Sequence, residues 1–77
     1  MRIKISGREP GSIPSEAVVT VPTTRGPEEV VVHVTQATED SVEAGYIGEK
    51  GGQVLVELPR ETVSGRWRVW VPKKAVA

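Results

Sequence analysis

The sequence predicts an all-β domain, a small antiparallel SH3-like barrel of five to six strands, and three observations carry that expectation. Valine dominates the apolar content, with fourteen valines against two leucines and no phenylalanine. β-branched side chains suit a pleated surface better than a helix. Six prolines and eight glycines break the chain into short segments, none with a convincing helical spacing of apolar residues. Within those segments apolar and polar residues alternate, which is the strand period.

Taken in order, Met1–Ser6 alternates Met1, Ile3 and Ile5 against Arg2, Lys4 and Ser6 and reads as a strand. Gly7–Ser15, with Pro10, Gly11 and Pro14, reads as a loop. Glu16–Val21 is a second strand closed by Pro22, and Thr23–Pro27 a turn. Glu28–Gln36 is the most strongly β segment, with Val30, Val32 and Val34 on one face and Val31, His33 and Thr35 on the other. Ser41–Ile47 places Val42, Ala44 and Tyr46 on one face. Gly48–Gly52 reads as a turn and Gln53–Leu58 as the next strand, with Val54, Val56 and Leu58 together. After Pro59–Gly65, Arg66–Val71 is the last clear strand. Pro72 ends it, and Lys73–Ala77 suits a single helical turn or a short strand. The core expected from this pattern contains Val32, Val42, Val54, Val56, Trp67 and Val69. Residues 1–77 form one domain, with N-terminal strands and loops over 1–27 and a barrel meander over 28–77.

The segments Glu28–Gln36, Ser41–Ile47, Gln53–Leu58 and Arg66–Val71, followed by Pro72-Lys73-Lys74-Ala75-Val76, resemble the strand succession of SH3-like small barrels. In those barrels a single-turn helix often follows the fourth strand. The same run is similar to Sm-like barrels, whose subunits close into rings. The resemblance covers roughly residues 28–77 and rests on strand spacing. Residues 1–27 depart from it, because an Sm-like chain usually begins with a helix. A shared superfold implies an architecture and leaves function open.

Composition narrows the chemistry. There is no cysteine and one histidine, so neither a disulfide nor a zinc site is expected. Ten basic and ten acidic residues balance, unlike the basic excess of a general nucleic-acid coater. The charge is nevertheless uneven. Residues 27–61 hold two basic and eight acidic side chains, and residues 62–77 hold four basic and no acidic ones. No run approaches the roughly 20 apolar residues of a membrane span, and the opening MRIKISGREPGS lacks the apolar stretch of a secretory signal. A cytoplasmic protein is expected.

Catalytic constellations are not evident. His33 could act as a general base, yet it has no indicated companion and reads more simply as a strand histidine. Glu28-Glu29 and Glu39-Asp40 are adjacent carboxylates at turns, an arrangement that seldom spans a substrate. Gly48-Glu49-Lys50-Gly51-Gly52 leads into a strand, whereas a phosphate-cradling loop leads into a helix. No catalytic residue, metal or cofactor is expected, and the chain is read as a non-enzyme.

One segment stands out. In Arg66–Val71, Trp67, Val69 and Val71 share a core-like face, while Arg66, Arg68 and Trp70 share the other, with Lys73 and Lys74 following. Arg66, Arg68, Trp70, Lys73 and Lys74 are the candidate binding residues. Such a set suits a protein contact, because Trp and Arg dominate interface hot spots. It also suits a single strand of nucleic acid, which stacks on aromatics and pairs with cations. A third reading has Trp70 closing one end of the barrel. Apolar residues on the outward faces, Val31, Leu55 and Trp70, favour an interaction module that self-associates or binds another protein. A nucleic-acid-binding barrel and an accessory subunit of a larger enzyme are the alternatives.

Overall fold

The computed structural model describes residues 1–77 and contains eight strands and two 3-10 turns. The strands are β1 (Arg2–Lys4), β2 (Gly7–Pro10), β3 (Glu16–Thr23), β4 (Gly26–His33), β5 (Ser41–Glu43), β6 (Gly45–Lys50), β7 (Gln53–Glu57) and β8 (Arg68–Pro72). The 3-10 turns cover Val34–Gln36 and Lys73–Ala75. The all-β expectation holds. The strands form three small antiparallel sheets, β1-β5, β2-β3-β4 and β6-β7-β8. They do not close into one continuous ladder. Single bridges link the pieces: Ile3 with Val76, Val30 with Thr62, and Ala37 with Val42.

Two hairpins set the register. Gly51 and Gly52 both have positive φ, 57° and 78°, which is the two-residue turn whose twist matches flanking strands. This turn pairs Lys50 with Gln53. The strand therefore runs to Lys50, and the turn is shorter than the expected Gly48–Gly52. In the other long hairpin, Pro22 lies opposite Pro27. Two prolines can face each other where the ladder demands no N–H from either. Both prolines therefore extend β3 and β4 beyond the boundaries their sequence suggests.

Gly7–Pro10 is a strand and not the loop expected there. It pairs with Ala17–Thr20 at the edge of its sheet, where proline is tolerated. Arg8 lies opposite Val19, and its guanidinium reaches Glu39 at 3.7 Å. A charged side chain on the core side of an edge strand discourages further strand addition.

The segment expected as one strand over Ser41–Ile47 is divided at Ala44. Ser41–Glu43 pairs with β1 and Gly45–Lys50 with β7, so one stretch of chain serves two sheets. The corner is tied by the Ala44 N–H, which donates to the Met1 carbonyl at 3.0 Å. A bulge between Tyr46 and Gly48 follows and increases the local bend. Val42 is consequently buried, whereas Tyr46, expected on its face, is 57% exposed.

The core joins Ile3, Val19, Val21, Val30, Val32, Val42, Val54, Val56, Leu58, Val69 and Val71 with Ala37 and Ala75. Five of the six expected core residues lie in it. Trp67 does not, and is 52% exposed. Its carbonyl still accepts from the Leu58 N–H at 2.9 Å, but it precedes β8 and the core ends at Leu58 and Val69. Alternation aims a side chain at the core side of a strand; burial also requires core at that point along it. After β8, the 3-10 turn at Lys73–Ala75 returns the chain to β1, where Val76 bridges Ile3 and the Ala77 N–H donates to the Arg2 carbonyl at 2.9 Å.

Candidate binding face

The outer side of β6-β7-β8 is organised around Trp70. On β7, Leu55 lies directly opposite Trp70 on β8 and Gly48 on β6. Leu55 and Trp70 are half-buried. Gly48 contributes no side chain, and the space where its Cβ would stand is open. The result is a short apolar shelf with one uncovered side.

Cations surround this shelf. A cleft of about 240 Å³ is lined by Thr23, Arg25, Glu28, Leu55, Arg66, Arg68 and Trp70, among others. A second, of about 560 Å³, lies against Thr24, Arg25, Lys50, Gly51, Gln53 and Trp70. Arg25 and Trp70 line both, so the two concavities meet at this pair. The Thr24 N–H donates to the Trp70 carbonyl at 2.9 Å, which docks the β3–β4 turn on β8 and brings Arg25 into the site. Neither Arg25 nor Lys50 is among the residues expected from the sequence. They come from turns distant along the chain, and no local pattern connects them with Trp70.

The expected residues divide. Arg66, Arg68 and Trp70 do share one cleft. Lys73 and Lys74 line neither concavity beside Trp70. The Lys73 ammonium donates to Glu49 at 2.9 Å, a hydrogen bond and ion pair that raise its pKa. Lys74 is exposed. Arg68 bonds Glu57 at 3.2 Å. Arg25, Lys50 and Arg66 form no ion pair within 4.0 Å.

Glu28 is the one acid in these clefts. The Ser64 hydroxyl donates to it and holds its carboxyl below the usual range. Partial burial opposes that shift, and Thr62 and Arg66 reinforce it. Glu28 therefore stays ionised and offsets part of the positive field.

Other surfaces carry less chemistry. The His33 ring caps the first 3-10 turn: its Nδ1 accepts from the Thr35 N–H at 3.2 Å and lies 2.7 Å from the Thr35 hydroxyl. A concavity of about 550 Å³ between Arg8 and Val34 mixes Arg8 with Glu9, Glu16 and Glu39 and holds no aromatic. No group of three His, Asp or Glu side chains is placed to hold a metal. No helix is long and apolar enough to cross a membrane. Comparison with protein-family models, curated proteins and solved structures finds no match to this chain.

Proposed function

We propose that this protein is a non-catalytic interaction module built on an SH3-like barrel, with the Trp70 face as its contact surface. The observation that carries the reading is the Leu55–Trp70 pair, left half-exposed where two cation-lined clefts meet. A tryptophan beside arginines is the composition of interface hot spots. The barrel reading draws on β1, which bonds β5 on one side and the chain after the 3-10 turn on the other. The non-catalytic reading draws on His33, whose Nδ1 is engaged in capping and forms no hydrogen bond with a carboxylate. The cysteine-free sequence suits a cytoplasmic protein.

Self-association is favoured by a separate observation. Strand β6 pairs on one side only and exposes Tyr46 and Ile47 along that edge. An uncovered edge can accept another strand.

The test is sedimentation of wild type, Trp70→Ala and Trp67→Ala at two salt concentrations, with and without an oligonucleotide. Trp70→Ala is expected to lose an association that Trp67→Ala retains. A wild-type protein that is monomeric in every condition and binds no oligonucleotide would overturn the assignment of this face.

A further inference from the structure

We infer that the ligand of the Trp70 face is single-stranded nucleic acid, an inference that rests on this face being the contact surface. The whole chain carries equal numbers of acids and bases. The two joined clefts instead gather Arg25, Lys50, Arg66 and Arg68 against the single acid Glu28. Three of these cations lack an ion-pair partner within the protein, so they are available to an external anion. Trp70 lies where the clefts meet, with its cross-strand neighbour Leu55 beneath the same open shelf.

A polyanion alone would need the cations and gain little from a tryptophan. An apolar partner would need the shelf and gain little from unpaired arginines. A single strand uses both, stacking a base on Trp70 while Arg25, Arg66 and Lys50 meet its phosphates. Gly51 at the cleft wall lets a backbone approach closely. Thr24 and Gln53 supply hydrogen-bonding groups at the same place. Concavities of this size do not accommodate a duplex, whose grooves are read by a protruding helix or ribbon.

The chain has two tryptophans, and that makes the test direct. In Trp67→Phe the only indole is Trp70, and its fluorescence reports stacking. Titration with oligothymidylate is expected to quench it to saturation. Affinity should fall with salt at a log–log slope near −2, as about three phosphate contacts require. Arg25→Gln and Arg66→Gln should each reduce that slope by about 0.7. Trp70→Ala, followed by competition, should weaken binding roughly tenfold. Glu28→Gln should tighten binding, because it removes the one acid. Inorganic polyphosphate should compete at low salt without quenching.

Circular dichroism of each variant separates lost binding from lost fold, and Trp70→Phe, which retains Trp67, should show no comparable quenching. Absence of quenching by oligothymidylate at low salt overturns the inference, as does equal binding of oligoglutamate with the same dependence on Trp70. If oligothymidylate fails while Trp70→Ala still abolishes self-association, the contact face stands and its nucleic-acid ligand falls. If both fail, both readings fall.

Discussion

The Thr24 N–H donates to the Trp70 carbonyl at 2.9 Å, and this bond joins the tip of one hairpin to the last strand of another sheet. Its consequence is positional, because it sets Arg25 beside Trp70. A hairpin tip free in solvent exchanges its amide hydrogens rapidly. The Thr24 amide is expected to exchange far more slowly than a free peptide, at a rate governed by the β3–β8 contact. Hydrogen exchange followed by NMR checks this, and an unprotected Thr24 amide would mean that the tip is undocked.

Ile3 and Trp67 should respond to truncation in the opposite order from their sizes. Ile3 is fully buried between Val42 and Val76. Ile3→Ala is expected to cost about 2–5 kcal/mol, comparable with the whole stability of a domain this small. Trp67 is half in solvent, and Trp67→Ala is expected to shift stability by about 0.5 kcal/mol or less. Urea melts of the two variants decide the matter. Unfolding of the Trp67 variant would return that residue to the core.

His33 terminates β4 and starts the 3-10 turn by bonding at both ends. Its Nδ1 accepts from Thr35, while its own N–H donates to Gln36 Oε1 at 2.9 Å. His33→Ala is expected to cost about 1 kcal/mol, the usual worth of a lost cap. His33→Asp should recover most of it, since a carboxylate oxygen also accepts from the turn's N–H groups. Equal losses in both variants would show that the ring packs and does not cap.

Glu28 gives stability a definite pH dependence. Its folded pKa is lowered, chiefly by the hydrogen bond from Ser64. The linked stability is therefore fully present above the unfolded glutamate pKa, about 4.3, and is lost as pH falls from there through the folded pKa. Glu28→Gln should lower stability near neutral pH, flatten that part of the acid limb and leave stability at about pH 3 less changed. Denaturant melts at about pH 6 and about pH 3 measure it. An unchanged acid limb in the variant would assign the loss to other carboxylates.

The sequence by itself determined that this chain is all-β and that Val30, Val32, Val42, Val54, Val56 and Val69 lie on inward faces. Val34, placed with Val30 and Val32 by alternation, instead leaves the strand in the 3-10 turn and is not buried. Val30 and Val32 point in while Val31 does not, because a pleated strand alternates its side chains with period two and burial follows apolarity. The positions of Arg68 and Trp70 on one side of β8 were legible for the same reason, whereas Arg66, expected on that strand, precedes it and joins them only through the loop that lines the cleft. Only the tertiary structure decided where the core stops, and this left Trp67 outside it. It also turned one valine- and glycine-bearing segment into two strands at Ala44, and it gathered Arg25 and Lys50 at Trp70. Local periodicity specifies a face; the meeting of two turns about 25 residues apart in the chain depends on how separate sheets dock, and that is a property of their summed packing.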